Sequence, residues 1–163
     1  YFSLKAAKKA LDATDTPFTP AIGLVIALNE SLKMIKAEGL EKVFAYYHKL
    51  AEAVRKAAVA LGLELFANSV CASDAITAVK VPAGVDGEKM VKTMRDTYGI
   101  TIAGGQSEMK GKIFRIASMG YINEFDILTG IACLEKVLHQ MGYKFELGAG
   151  VAATQRVFNQ MTA

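Results

Sequence analysis

The sequence predicts an α+β fold: a small, mostly antiparallel sheet of three or four strands with helices packed on one face. Three observations predict it. Long stretches with apolar residues three and four apart flank shorter stretches in which apolar and polar residues alternate. Glycines close several of the long stretches. Beyond a short leading helix, the order is two helices, two strands, helix, strand, strand, helix, which lacks the regular strand and helix repeat of a parallel sheet. The 163 residues are enough for a single sizeable core. With 52% hydrophobic and 21% charged residues and three prolines, the disordered and low-complexity classes are excluded.

Each element has a local reason. Leu4, Ala7 and Leu11 form a short apolar stripe, so Phe2 to Asp12 is expected to be helical. Thr14 to Pro20 carries two prolines that push their predecessors toward extended dihedrals, and is expected to be stiff and non-helical. From Ala21 to Glu38 the helical period returns, with Ile22, Val25, Ile26, Asn29, Leu32 and Ile35 on one side and Gly39 as the stop. Glu41 to Leu61 repeats the pattern up to Gly62. Two short β-type runs follow, Leu63 to Ala67 and Ala75 to Pro82. Asp86 is a candidate cap for a helix to Tyr98, stopped by Gly99. Ile100 to Ala103 and Lys112 to Ser118 read as strands around the loop Gly104 to Gly111. Asn123, with Asp126 three residues on, opens a long helix to Met141, and Gly148 to Thr162 reads as a short terminal helix.

Charge and cysteine usage narrow the function classes. Nineteen Lys and Arg face sixteen Asp and Glu, and only four of the cations are Arg (55, 95, 115 and 156), leaving fifteen dispersed lysines. No groove-sized basic patch calls for nucleic acid. The apolar stretch Ala21 to Leu28 is far short of the ~20 residues of a spanning helix, and no targeting segment is visible, so a soluble, cytoplasmic protein without a membrane partner is expected. Cys71 and Cys133 lack metal-ligand spacing and are expected to be buried small hydrophobes. The chain starts at Tyr1 and has a mean hydropathy of +0.26, high for a small free-standing domain, so a missing amino-terminal partner is expected.

Three features could carry chemistry. Arg115 stands mid-strand between Phe114 and Ile116 in a chain that otherwise prefers Lys. A guanidinium in a buried strand suits a planar carboxylate held by two hydrogen bonds; the alternatives are a solvated sheet face or an internal acid. Thr16 to Pro20 offers hydroxyls and amides ahead of a helix, which suits a phosphate; the alternative is that Thr19 caps a helix beginning at Pro20. Gly104 to Gln106 permits unusual dihedrals and a close backbone approach, or is only a flexible connection. His48 and His139 are expected to be structural, and the acids at Glu38/Glu41 and Glu124/Asp126 to favour helix ends. The common stand-alone catalytic signatures are absent from the sequence.

The segments TPFTPAI, AEGLEKVFAYYHKLAEAVRKAAVALGLELF, GITIAGGQ and GKIFRIASMGY, in that order, resemble the carboxyl-terminal part of class V, fold-type I, pyridoxal-phosphate-dependent aminotransferases. Within that class they are most similar to the alanine–glyoxylate and serine–pyruvate enzymes. The resemblance implies that Arg115 holds the α-carboxylate of an amino acid or oxoacid substrate, with Gln106 near the active-site mouth. It implies that Thr19, and more loosely Thr16, meet the phosphate of pyridoxal 5'-phosphate, Thr19 across a homodimer interface. Ala117 and Ser118 stand where the family often has a glycine, a departure that leaves the Arg in place.

The same resemblance puts the Schiff-base lysine, the aspartate under the pyridine nitrogen and the stacking aromatic ahead of Tyr1, so no catalytic residue is expected within the chain and the chain alone is expected to be inactive. It implies a division into a large-domain remnant (1–20), a connecting helix (21–38) and a small carboxyl-terminal domain (39–163). A competing expectation is a non-catalytic α/β interaction domain that docks a partner through its apolar helices, chiefly Ala21 to Glu38.

Overall fold

In a computed structural model, residues 1–159 are described. The chain divides into two compact units, Tyr1–Val43 and Phe44 onward. In the first, α1 (Leu4–Asp12) is capped by Ser3, whose hydroxyl accepts from the Ala6 amide at 3.2 Å. It ends where Thr14 takes a left-handed φ of 54°. The non-helical stretch that follows is anchored by Phe18, whose ring stacks on Tyr1 with centroids 4.6 Å apart. Next comes α2 (Ile22–Glu38), closed by Gly39 at φ 96° as expected. No residue of α2 is buried.

In the second unit the sheet has three antiparallel strands in the order β1 (Ile76–Lys80), β3 (Ile113–Ala117), β2 (Ala103–Gly104). This is the expected α+β architecture, at the lower end of the expected strand number. Thr77, Val79, Phe114 and Ile116 point to one face, where α3 (Leu40–Ala60), α4 (Gly87–Tyr98) and α5 (Glu124–Gln140) bury Ala58, Met90, Met94, Leu134 and Leu138 with them. Phe114 is fully buried there, worth roughly 1.5–3 kcal/mol relative to exposure. A second cluster joins Leu50, Val54 and Ala57 of α3 to Ile127 and Ile131 of α5 and to Val157 of α6 (Ala149–Asn159).

Two amino-terminal helix caps are those the sequence predicts. The Asp86 carboxylate accepts from the amides of Glu88 and Lys89, and Asn123 with Asp126 forms a reciprocal capping box. Strand boundaries differ more. Leu63 to Ala67 forms only one bridge, Leu65 to Val79, because Glu64 and Phe66 alone exchange backbone bonds with β1. Of Ile100 to Ala103, only Ala103 pairs, and the strand runs on into Gly104. Cys71 is exposed, not buried, because it sits in a short 3-10 turn (Ser69–Cys71) outside the sheet. Cys133 is buried as expected. The terminal helix is described to Asn159; the end of its expected span, Gln160 to Thr162, lies outside the described residues.

Candidate functional site

Arg115 lies at the centre of β3, on the sheet face opposite Phe114 and Ile116. Its cross-strand neighbours are Ala78 on β1 and Ala103 on β2. Two methyl groups flank a long side chain, so the strands leave lateral room around the guanidinium instead of covering it. The side chain is part-buried. Its Nε and Nη2 both donate to the carbonyl oxygen of Gly104, at 3.1 and 2.9 Å. No carboxylate pairs with Arg115 among the described residues. Of the readings open from sequence, the internal acid finds no partner among the described residues. What remains is a cation at the sheet surface whose second edge, Nη1 with the outer hydrogen of Nη2, has no partner among the described residues.

The Gly104 carbonyl is held by the loop that follows. Gly105 donates to Ile113 at 2.9 Å, and a 3-10 turn (Ser107–Met109) folds the chain back so that Lys112 donates to Met109 at 3.0 Å. The Met109 carbonyl oxygen would stand 1.9 Å from a Cβ at residue 105, so only glycine fits. The close backbone approach expected of the GGQ segment is therefore made by its own loop. Gln106 is exposed and extended (φ −116°, ψ 159°); its backbone carbonyl accepts from the Met109 amide, and its side chain makes no hydrogen bond among the described residues. Gln106 thus follows, by two residues, the Gly104 carbonyl that Arg115 binds.

Thr16 and Thr19 belong to the first unit. Thr19 does not cap α2. Ala21 adopts φ −77° and ψ 61°, with the Ile22 amide bonded to the Pro20 carbonyl at 2.9 Å. That inverse γ-turn delays the helix start by two residues and takes Thr19 out of capping position. The α2 amino terminus has no side-chain cap, and both Thr19 and its surroundings are exposed. Thr16 donates its hydroxyl to the Phe18 carbonyl at 2.8 Å and its amide to Asp15 Oδ1 at 2.7 Å. A hydroxyl without an acceptor among the described residues, two residues ahead of Ala21, where α2 lacks a side-chain cap, is a donor set that fits a phosphate, with Thr16 bracing the turn.

One charged cluster was not anticipated. His48 Nδ1 and Arg55 Nη2 hold the two oxygens of Asp74 at 2.9 and 3.0 Å. Burial raises the Asp74 carboxyl pKa, but hydrogen bonds from His48 and Arg55, and their charges, outweigh it and hold the group below its ordinary value. The only signal in the sequence was that His48 and Arg55 lie two helical turns apart on α3. No group of His, Cys, Asp and Glu among the described residues could hold a metal ion, and no helix among them is long and apolar enough to cross a membrane.

No family model matches the chain. Among curated proteins it is 44% identical over 160 residues to the "Soluble hydrogenase 42 kDa subunit" of Anabaena cylindrica, covering 98% of the chain and 42% of that protein. It is 41% identical over 148 residues to the L-aspartate–glyoxylate aminotransferase of Paracoccus denitrificans, covering 90% of the chain and 37% of the relative. Among solved structures, the pyridoxamine–pyruvate aminotransferase of Mesorhizobium loti superposes with a TM-score of 0.82 at 31% identity, over 88% of the chain and 37% of that enzyme. The ureidoglycine–glyoxylate aminotransferase of Bacillus subtilis gives 0.79 at 32%, over 82% and 35%. The chain therefore spans less than half the length of the relatives it matches. With 90% of its residues aligned to an aspartate–glyoxylate aminotransferase and 82–88% superposed on two solved aminotransferases, the chain belongs to the class V pyridoxal-phosphate-dependent aminotransferases.

Proposed function

We propose that the chain is the carboxyl-terminal portion of a pyridoxal-phosphate-dependent transaminase that moves an amino group from serine, alanine or aspartate to glyoxylate or pyruvate. The observation that carries this reading is Arg115: a part-buried guanidinium with one edge committed to a peptide carbonyl, the other edge open, and no acid of its own among the described residues. An α-carboxylate supplies the planar pair of acceptors that edge lacks. Binding there orients the substrate so that its Cα–H bond meets a base contributed by the remainder of the protein. Gln106, beside the same turn, is available to a polar substituent of the substrate. Thr19, with the α2 amides and Thr16 behind it, would hold the cofactor phosphate. When bound, the cofactor supplies the electron sink for proton removal at Cα.

On this reading residues 1–20 continue a large domain, 21–38 connect, and 39–163 form the small domain of a cytoplasmic homodimer. The chain alone lacks the Schiff-base lysine and is inactive. In the full-length protein, Arg115→Ala should raise KM for amino acid and oxoacid by about 10- to 100-fold, the worth of hydrogen bonds to a charged group. An unchanged KM removes Arg115 from the site. Mixed with pyridoxal phosphate, the 163-residue chain should yield no borohydride-trappable adduct at a single lysine; a stoichiometric one would overturn the assignment of the missing lysine.

A further inference from the structure

A guanidinium has two forks with which to grip a carboxylate, one formed by Nε and Nη2 and one by Nη1 and Nη2. Either would serve an isolated arginine. In this protein the first fork is already taken, since Nε and Nη2 of Arg115 converge on the Gly104 carbonyl at 3.1 and 2.9 Å. That carbonyl does not drift. Its strand pairs Gly104 with Phe114, a fully buried residue, and the next amide is tied to Ile113. The 3-10 turn then brings the Met109 carbonyl to where any side chain on residue 105 would stand, 1.9 Å from an ideal Cβ.

We infer that Gly105 is a positioning residue for substrate recognition. By having no side chain it lets the loop close, the closed loop holds the Gly104 carbonyl, and the carbonyl clamps the guanidinium by its inner edge. Only the Nη1–Nη2 fork is then presented to a ligand, so the carboxylate must approach end-on along the Arg115 side chain. The clamp also explains why lysine cannot stand in. An ammonium that meets the Gly104 carbonyl has no second rigid fork, whereas the planar guanidinium serves carbonyl and ligand together. The group it grips is an α-carboxylate with its two oxygens free, and the inference rests on the reading of Arg115 as the substrate-carboxylate site.

The experiment compares discrimination in the full-length holoenzyme. For each variant, kcat/KM is measured for an α-amino acid and for an amine of similar size without a carboxylate, and the ratio is taken. Arg115→Ala, Arg115→Lys and Gly105→Ala should each reduce the ratio about tenfold or more. If Arg115→Ala leaves the ratio intact, the site reading itself falls. If Arg115→Ala lowers it but either Gly105→Ala or Arg115→Lys keeps it, the clamp is wrong and the site stands. A Gly105→Ala change that lowers both rates equally marks general damage and also overturns the clamp. Should that variant fail to fold, the wild type decides by NMR of its arginine side chains. The Nε–H of Arg115 should be protected from solvent exchange before ligand is added and unchanged on titration with propionate, while its Nη resonances shift. An Nε–H that exchanges freely, or that responds to propionate as strongly as Nη, overturns the inference.

Discussion

Asp74 draws its two oxygens to His48 and Arg55, and its carboxyl is consequently easier to ionise in the folded chain than in the unfolded one. A depressed folded value means the contribution to stability is complete above the unfolded value, near 3.8, and drains away as pH falls through the lower folded value. With the Asp74 side chain 42% exposed, solvent screening holds that contribution to about 1 kcal/mol or less. Asp74→Asn should therefore be less stable than wild type near neutrality, and the gap should close at a second, acidic pH below the folded Asp74 value, where both carry a neutral side chain. Denaturant midpoints at the two pH values test this, and a gap that persists in acid would mean that shape, not charge, is responsible. Arg115 presents the same question from the other side, since its cationic edge has no acid among the described residues. Its oddity was legible because an Arg between Phe114 and Ile116 breaks an apolar strand. Its protein partner was not legible, because every residue carries a carbonyl and only the folded turn says which one points inward.

At the scale of elements, the attachment of α6 rests on a carboxylate from another helix. Glu135, buried in α5, accepts from the Gly148 amide at 2.7 Å and the Val151 amide at 2.9 Å, filling the role of a cap from a distance. Gly150 sits against the same group: an added Cβ would meet Glu135 Oε1 at 2.9 Å and Leu61 at 3.0 Å. Glu135→Gln replaces one acceptor by a donor facing an amide and should cost about 1–3 kcal/mol. Gly150→Ala should cost a similar amount through overpacking, roughly 1–3 kcal/mol. Amide hydrogen exchange locates the effect: Gly148 and Val151 should lose protection first in Glu135→Gln, and uniform loss across α3 to α5 would contradict a local cap. Elements differed in how well they could be read from sequence for one reason. A helix carries its stop and its cap in its own residues, as Gly99, Asp86 and Asn123 do. A strand needs a partner, so Leu63 to Ala67 and Ile100 to Ile102 had strand-like side chains and found almost no ladder. The start of α2 slipped for a related reason, since nothing in the composition of Thr19, Pro20 and Ala21 distinguishes a capped helix from an inverse γ-turn.

For the molecule as a whole, α2 decides how the chain behaves by itself. Ile22, Leu24, Val25, Ile26, Leu28 and Met34 are all more than half exposed, around the whole circumference of the helix, and no α2 residue is buried. A helix that is apolar on every side is one that other surfaces normally cover. On the function proposed above, the cover would come from the remainder of the full-length protein and a second copy of it. The isolated 163-residue chain should then bind a hydrophobic dye strongly and sediment as concentration-dependent oligomers. The full-length protein should do neither beyond a defined dimer. Replacing Leu24 and Leu28 by Lys in the isolated chain should abolish most dye binding and shift sedimentation toward monomer, because exposed apolar area drives both. If the isolated chain proves monomeric and dye-silent at high micromolar concentration, α2 folds back on the chain's own surface, and the first unit is a finished module instead of a surface awaiting its other half.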